Sequence, residues 1–269
     1  NGSRNQGFRQ GSQIWGNRRI YQCRKAPLGD FCGLENFGIL YSMIRFENVT
    51  KIYPNAGEAS VEDLNFEIKA GEFVSIVGHS GAGKTTIVKL LLGEEKPTKG
   101  DIFFDEIEVN NLRPSKLTNL RRRIGTVFQD FRLLPNKTAY ENIAFAMESA
   151  GKTDEEIESD VPHVLDLVDL GSKAFHFPHQ LSGGEKQRLS IARAIINNPE
   201  VVVADEPTGN LDPVNTYEVV HILKKINSLG TTVILTTHNK GVVDAIHKRV
   251  ITLEDGKVVR DDEKGKYII

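Results

Sequence analysis

Residues 73–86 read Phe-Val-Ser-Ile-Val-Gly-His-Ser-Gly-Ala-Gly-Lys-Thr-Thr, and this stretch decides the fold. Residues 73–77 are all apolar or small, as expected of a strand buried inside a parallel sheet. The pattern G-x-x-x-x-G-K-T follows at 78–85, and an apolar helical stretch continues to Leu92. A strand, a glycine-rich turn and a helix in this order are typical of a phosphate-binding loop. The sequence therefore predicts a nucleotide-binding α/β domain.

The residue types in this loop suit phosphate chemistry. Glycines let backbone N–H groups turn toward phosphate oxygens, and the helix start adds a partial positive charge. Lys84 is expected to reach the β- and γ-phosphates, and the Thr85 hydroxyl to hold Mg²⁺. His79 occupies a variable position of the loop, so its side chain is expected to be structural or neutral. The residues predicted to surround the nucleotide are Gly78, His79, Ser80, Gly81, Ala82, Gly83, Lys84, Thr85 and Thr86.

Two adjacent carboxylates, Asp205 and Glu206, follow a second buried-strand run at 201–204. Ligands of open α/β sheets bind at the carboxyl ends of the parallel strands, where these two side chains are expected. Alternation along the chain lets Asp205 face a metal ion while Glu206 faces an attacking water. The spacing alone does not decide which of the two acts as the base.

A third segment, Leu-Ser-Gly-Gly-Glu-Lys-Gln-Arg at 181–188, leads into another helix. Ser182, Gly183 and Gly184 at a helix start form a second anion-binding N-terminus. One phosphate loop already serves one nucleotide, so a second such site in the same chain is redundant. A symmetric homodimer removes the redundancy, because each subunit can offer this segment to the nucleotide held by the other.

These segments, in this order, resemble the ABC-type ATPases. Residues 181–185 resemble the signature sequence of that family. The motifs occur across 43–255, and the resemblance covers about five-sixths of the chain. Four further motifs carry the resemblance. Tyr53 resembles the aromatic residue that stacks on adenine, and Gln129 resembles the glutamine of the Q-loop. Residues 209–212, which end in Asp212, resemble the D-loop, and His238 resembles the switch histidine.

The resemblance implies a mechanism in which two ATP molecules, with Mg²⁺, lie between two copies of the domain. It implies that Glu206 polarises the water, that His238 contacts the γ-phosphate, and that Gln129 links metal and water to a membrane partner. Ser182, Gly183 and Gly184 are expected to complete the opposite site. The metal ligands that it implies are Thr85, Gln129 and Asp205.

Three runs, 78–84, 128–134 and 204–212, resemble one subgroup, the bacterial cell-division ATP-binding proteins of the FtsE family. This resemblance implies an ATPase at the cytoplasmic face of the cell membrane, which contacts the membrane only through a polytopic FtsX-like partner. ATP cycling in that family activates cell-wall hydrolases at the division site. ATPases of lipoprotein-release and macrolide exporters share the run at 204–212, so an exporter subunit is the alternative.

Composition argues against other classes of protein. The 34 Lys+Arg residues nearly balance the 36 Asp+Glu residues, which gives no nucleic-acid signature. The two cysteines match neither a disulfide scaffold nor a zinc pattern. A soluble ABC ATPase acting on DNA is disfavoured because only 99 positions separate Gly83 from Ser182, too few for a long coiled coil. The single set of motifs disfavours the ribosome-associated type.

The predicted fold has a parallel-sheet ATPase core, an antiparallel β portion and a helical subdomain at about 136–180. Thr153 and either Asn136 or Thr138 are expected to cap helices there, and Pro162 is expected to break or kink a helix near 160. Three arginines, 121–123, end another helix and are expected to be solvated. Strand patterns occur at 44–49, 60–68, 73–77, 101–109, 124–128, 201–205, 231–236 and 249–253.

Residues 1–42 show neither helical nor strand periodicity and carry six basic residues against two acidic ones. They are expected to be a disordered or non-native extension, with the ATPase domain at 43–269. The alternative is a basic tail that touches anionic lipid, although its charges are scattered rather than clustered.

Overall fold

The computed structural model describes residues 42–54 and 57–265, which contain two sheets, seven α-helices and two short 3-10 helices. The predictions for residues 1–41 lie outside the described residues. The strands are β1 (Ser42–Ile52), β2 (Ala59–Lys69), β3 (Phe73–Val77), β4 (Lys99–Phe104), β5 (Ile107–Glu108), β6 (Ile124–Phe128), β7 (Val201–Asp205), β8 (Thr232–Thr237), β9 (Arg249–Glu254) and β10 (Lys257–Asp262). The helices are α1 (Lys84–Leu91), α2 (Pro114–Arg122), α3 (Ala139–Ser149), α4 (Asp154–Leu167), α5 (Gly183–Ile195), α6 (Pro213–Ser228) and α7 (Lys240–Ile246).

The larger sheet has the strand order β10-β9-β3-β8-β7-β6, and all its neighbours pair in parallel except the edge strand β10. Every residue of β3, β7 and β8 is buried, which explains the mainly apolar runs of β3 and β7. The register pairs Phe128 with Asp205, Asp205 with Thr236, and Val77 with Thr237. The residues that follow β3, β6, β7 and β8 therefore lie together at the carboxyl edge of the sheet.

The smaller sheet is antiparallel, with the order β2-β1-β4-β5. Its inner face includes the Phe46 and Phe66 rings, stacked with centroids 4.6 Å apart. These rings belong to one buried apolar cluster that also includes Leu90 and Leu91 of α1 and residues of β3 and β7. Helix α1, which follows the phosphate loop, is thus anchored in the core that joins both sheets. The predicted α/β fold class is confirmed.

Two strand predictions differ from the structure at hairpin turns. The single strand predicted at 101–109 is wrong: β4 and β5 are separated by a turn in which Asp105 has φ +62°. Strand β10 was not predicted, although Asp255-Gly256 before it is a hairpin signal in the sequence. Both turn residues have positive φ, +45° and +78°, as a type I′ turn requires.

Helices α3 and α4 begin with capping boxes, and Thr138 and Thr153 are confirmed as the caps. Of the predicted break or kink near 160, the break is wrong, because α4 continues through Pro162, and the kink stays a prediction. Buried residues on both sides of the proline, including Ile157 and Val164, hold the two halves against the core. The Pro162 ring is exposed, so it does not disturb the packing of the core. Burial of the opposite, apolar face of the helix offsets the backbone hydrogen bond that the proline removes.

The prediction that the arginines 121–123 are solvated is wrong for Arg123. Its guanidinium donates to both Glu200 carboxylate oxygens, at 2.6 and 2.8 Å, and to Asp105 Oδ2 at 3.1 Å. The Arg123 guanidinium also lies over the Phe104 ring, 4.6 Å from its centroid. The Glu200 hydrogen bond, supported by Asp105, raises the pKa of Arg123 even though burial opposes it. A sequence pattern of charges at a helix end does not reveal such long-range partners.

Candidate active site

The phosphate loop at 78–83 connects β3 to α1 and packs closely against β2. Gly81 and Gly83 have φ +85° and +100°, values that side-chain-bearing residues rarely adopt. A Cβ atom on Gly83 would lie 2.6 Å from Val61 Cγ1 and 2.7 Å from the Ser60 carbonyl oxygen. The loop therefore requires glycine at this position for both its conformation and its packing.

Lys84 lies at the mouth of the loop and is almost fully buried. Its Nζ donates to the carbonyl oxygens of Gly78 and His79, at 2.9 and 3.0 Å. The same Nζ lies 3.3 Å from Glu206 Oε1. Since the ammonium has a carboxylate as its only charged partner among the described residues, an incoming anion can replace that carboxylate.

Asp205 ends β7, and two hydroxyl groups surround its Oδ1 atom. Thr236 Oγ1 donates to it at 2.5 Å, and Thr85 Oγ1 lies 3.4 Å away. Carboxylate and hydroxyl oxygens are hard ligands of the kind that Mg²⁺ prefers, so Asp205 and Thr85 fit a magnesium ion. Gln129, the third predicted ligand, is not part of this cluster. Its Nε2 atom lies 3.4 Å from Asn210 Oδ1.

Glu206 has φ +49°, an uncommon conformation for a residue that is not glycine. Its backbone N–H is held by the carbonyl and the hydroxyl oxygen of Thr236, both at 3.1 Å. The Glu206 carboxylate turns away from Asp205 toward Lys84 and His238. His238 Nδ1 lies 2.9 and 3.0 Å from its two oxygens. Residues at positions 84, 206 and 238 thus form one cluster.

Thr236 is the residue of this site that sequence reasoning missed. Its hydroxyl donates to the Asp205 carboxylate, and its hydroxyl and carbonyl oxygens both accept the backbone N–H of Glu206. The sequence shows only a threonine pair before His238, and threonine is common in strands. Only the register of β7 against β8 identifies its role.

Tyr53 and His79 lie at the margin of the site. The Tyr53 ring is 5.0 Å from Lys51 Nζ, an ammonium that also bonds to Glu95 Oε2 at 2.8 Å. The His79 side chain is half-exposed, with Nε2 3.5 Å from Asp255 Oδ1. Neither side chain contacts the Lys84 cluster, so their predicted nucleotide contacts stay predictions.

Ser182 caps the N-terminus of α5. Its hydroxyl accepts the Glu185 N–H at 3.3 Å, and its own N–H donates to Glu185 Oε2 at 2.8 Å. The backbone hydrogen bond from Ser182 lowers the pKa of Glu185. A Cβ atom on Gly184 would lie 1.6 Å from Asn215 Oδ1, so only glycine allows this contact with α6. The N-terminus of α5 therefore packs closely against α6.

Asp212 caps α6 in a similar way. Its Oδ1 atom accepts the N–H groups of Val214 and Asn215, at 2.9 and 3.0 Å. The backbone hydrogen bond from Asn215 is the main reason that the pKa of Asp212 is lowered. Among the described residues, no hydrogen bond or ion pair connects Asp212 or the segment 182–184 to the phosphate loop. The four predicted residues of the signature segment and the D-loop therefore form a second surface, separate from the Lys84 cluster within one chain.

The described residues contain neither a cluster of metal-ligating side chains nor a membrane-spanning helix. No group of three or more His, Cys, Asp or Glu side chains in the described part is arranged to hold a metal ion. None of the helices in 42–54 and 57–265 is long and apolar enough to cross a membrane.

Comparison with known proteins agrees with this geometry. A family model for ABC transporters matches residues 61–209. The cell division ATP-binding protein FtsE of Bacillus subtilis is 52% identical over 225 residues, which cover 84% of this chain and 98% of the relative. The chain belongs to the FtsE group of the ABC transporter family. Other FtsE proteins match similarly: that of Mycobacterium tuberculosis is 48% identical over 225 residues, with the same coverage of both chains.

Solved ABC structures share the fold of this FtsE-group chain. The ATP-binding cassette MJ0796, solved as a dimer in a post-hydrolysis state bound to ADP and phosphate, superposes with a TM-score of 0.76 at 39% identity. The match covers 84% of this chain and 100% of that one. CbiO1 from Clostridium perfringens, part of an ABC transporter complex, gives the same TM-score at 29% identity, over 83% and 89% of the two chains. The resemblance to ABC-type ATPases is confirmed.

Proposed function

We propose that this chain is the ATP-binding and ATP-hydrolysing subunit of a bacterial cell-division complex, in which it acts on an FtsX-like polytopic membrane protein. The observation that carries the proposal is the convergence at one sheet edge of Lys84, Glu206 and His238 with the Asp205–Thr85 pair. Such a cluster beside a phosphate loop suits transfer of a phosphoryl group to water. The names of the FtsE relatives support the cell-division role.

The geometry assigns different work to the two adjacent carboxylates. Asp205 is held inward by Thr236, whereas Glu206 faces Lys84 and His238. When the γ-phosphate takes the place of Glu206 beside the Lys84 ammonium, the Glu206 carboxylate becomes free to accept a proton from the attacking water. His238, which touches Glu206, then lies where it can donate a hydrogen bond to the γ-phosphate.

The magnesium site consists of Asp205 and Thr85, with Gln129 joining when its loop approaches. A bound Mg²⁺ ion would neutralise negative charge on the phosphate oxygens. The Thr236 hydroxyl keeps Asp205 aimed at the position next to Thr85. The backbone of the loop at 78–83 and the residues Thr85 and Thr86 surround the phosphates, and Tyr53 stacks on the adenine.

Two copies form the working enzyme on ATP binding. In the described part of one chain, no hydrogen bond or ion pair joins residues 182–184 or Asp212 to the phosphate loop, and α5 presents its N-terminus with Ser182 and Gly183 exposed. A second copy, related by a two-fold axis, can place these residues on the nucleotide of the first. The ADP-bound dimer of MJ0796 supports this arrangement. Contact with the cytoplasmic face of the cell membrane is made through the partner protein.

Substitution of Glu206 by glutamine tests the enzymatic part of the proposal. Glu206→Gln keeps the size of the side chain but cannot accept the proton, so we expect turnover to fall on the order of 10²–10⁴-fold. ATP should trap this variant as a dimer, measured by size-exclusion chromatography beside phosphate release. Glu155→Gln, an exposed carboxylate on α4, is the matched control. Undiminished turnover in Glu206→Gln would remove Glu206 from the role of base.

Co-purification tests the biological part. The full-length Glu206→Gln chain is used as bait in membranes of its own organism, with and without ATP. Recovery of an FtsX-like polytopic protein supports the division role. Recovery of a lipoprotein-release or drug-export permease instead would leave the ATPase chemistry intact and overturn that role.

A further inference from the structure

The loop at 128–132, which carries Gln129, has an unusual backbone. Phe131 and Arg132 are consecutive residues with φ +60° and +48°, and neither is glycine. Hydrogen bonds from Phe131 N to Phe128 O, at 3.2 Å, and from Arg132 N to Asp130 O, at 2.6 Å, close the turn. Two successive left-handed residues are strained and persist only when the surrounding structure holds them.

Helix α5 provides that hold through one guanidinium group. Arg193 Nη1 donates to the carbonyl oxygen of Arg132 at 2.6 Å, and Arg193 Nη2 donates to that of Phe131 at 3.0 Å. Earlier on the same helix, the fully buried Gln187 donates to Phe128 O at 3.5 Å. Three carbonyl groups of the loop are therefore bonded to α5.

The surroundings of Arg193 suit it to hold the carbonyl groups of the loop at 128–132. Among the described residues it forms no salt bridge, and burial lowers its pKa. A largely buried guanidinium without a carboxylate must be compensated by other acceptors, here the two carbonyl oxygens. Its planar guanidinium offers a separate nitrogen to each carbonyl in a fixed geometry, whereas lysine carries all its donors on one nitrogen.

The other end of α5 carries the surface that faces a second subunit. Ser182 caps the helix, and Arg193 lies eleven positions later, a rise of about 16 Å along the helix axis. We propose that Arg193 is a positioning residue that makes α5 and the loop at 128–132 move as one body, so that Gln129 responds to the nucleotide bound by the partner subunit opposite residues 182–184. This inference rests on the proposed function, because it requires the two-ATP dimer.

The physical consequence is a coupling between the two nucleotide sites. Nucleotide on the partner's phosphate loop shifts the N-terminus of α5, and the rigid helix carries the Arg193 fork with it. The strained turn follows, and with it Gln129, which approaches its own subunit's magnesium site. Loss of the fork leaves Lys84 and the phosphate loop untouched but disconnects Gln129 from the partner.

Kinetics of the full-length chain test this coupling. Arg193→Met removes the fork at similar side-chain length, and Arg193→Lys keeps the charge without the fork. We expect kcat of Arg193→Met to fall about tenfold or more, because misplaced groups cost rate rather than binding. The Hill coefficient for ATP should drop toward one, while affinity for a fluorescent ATP analogue is unchanged. Arg193→Lys should be intermediate.

Arg122→Met is the matched control, because Arg122 also donates to a backbone carbonyl, that of Ser149, at 2.8 Å. It should retain the wild-type kcat and Hill coefficient. An Arg193→Met enzyme with wild-type kcat and cooperativity would overturn the inference. A parallel fall in kcat, ATP affinity and melting temperature would also overturn it, since that pattern indicates a structural role only.

Hydrogen exchange separates this inference from the proposed function without relying on turnover. In the Glu206→Gln background, ATP should change the exchange of amides at 128–132, and addition of Arg193→Met should abolish that change and speed exchange there about tenfold. An ATP-dependent dimer whose loop responds equally with and without Arg193 overturns the coupling alone. Absence of any ATP-dependent dimer overturns the proposed function, and the coupling with it.

Discussion

At the residue scale, the side chain of Thr236 holds both Asp205 and Glu206 in place. Its hydroxyl donates to Asp205 Oδ1 and accepts the Glu206 N–H, so a single oxygen contacts the side chain of one residue and the backbone of the next. The residue is fully buried, which strengthens both hydrogen bonds. Thr236 therefore orients Asp205 toward the Thr85 hydroxyl and stabilises the left-handed backbone of Glu206.

Replacement of Thr236 by valine should weaken magnesium binding. Valine has a similar shape but no hydroxyl, so Asp205 loses its donor, and groups behind metal ligands commonly contribute about tenfold or more to metal affinity or activity. We expect the Mg²⁺ concentration for half-maximal ATPase activity to rise about tenfold in Thr236→Val. Thr252→Val, another buried threonine of the same sheet, is the control. An unchanged magnesium requirement would contradict the role given to Thr236.

Helix α4 illustrates, at the scale of an element, how tertiary packing overrides a local signal. A proline in the interior of a helix removes one backbone hydrogen bond and crowds the carbonyl four residues earlier, that of Glu158. The capping box at Thr153 and four buried apolar residues, Ile157, Val161, Val164 and Leu165, nevertheless keep the helix continuous. The proline ring faces solvent, where it causes no core defect.

Substitution of this proline by alanine should stabilise the protein. Pro162→Ala restores an N–H donor to the Glu158 carbonyl, so we expect the free energy of unfolding to rise by about 1–3 kcal/mol, measured in urea. Glu158→Ala, at an exposed position of the same helix, should stay within about 0.5 kcal/mol of wild type. If the Pro162→Ala protein is no more stable than wild type, then the proline does not destabilise helix α4.

At the scale of the whole molecule, two arginines connect the antiparallel sheet to the parallel one. Arg123, just before β6, bonds to Asp105 in the β4–β5 turn and to Glu200 beside β7. Arg249 of β9 bonds to the Glu67 carbonyl on β2, to Glu72 and to Asp261 on β10. Hydrogen bonds to Asp261, together with the Glu72 charge, raise the pKa of Arg249. Each guanidinium bridges segments far apart in the chain.

Removal of the Arg123 bridge should destabilise the fold without altering the active site. Arg123→Met leaves the Glu200 and Asp105 carboxylates without their shared donor, so we expect the free energy of unfolding to fall by about 1–3 kcal/mol. Denaturant titration measures the change, and Arg122→Met, whose guanidinium does not join the sheets, is the comparison. Equal stabilities of the two variants would refute the bridging role.

Local sequence patterns predicted the buried parallel strands and the helix caps, but not the hairpin turns. Strands β3, β6 and β7 have the predicted bounds; β3 and β7 are fully buried, and buried parallel strands leave apolar runs in the sequence. The strand predicted at 101–109 is in fact two strands, and β10 went unpredicted, because hairpin turns at Asp105 and at Asp255-Gly256 depend on single residues with positive φ. Capping threonines were predictable from sequence, since a capping box is a four-residue pattern.

The sequence by itself determined the family, the phosphate loop and the identity of most residues around it, because these depend on short motifs whose chemistry is local. Only the tertiary structure decided which residues act together. Glu206 meets Lys84 and His238, and Asp205 meets Thr85 and Thr236, because parallel pairing places the ends of β3, β7 and β8 side by side. The same holds for Arg193 and the loop at 128–132, which lie about sixty positions apart in the chain. Strand register and helix packing act over distances in sequence that no local pattern encodes.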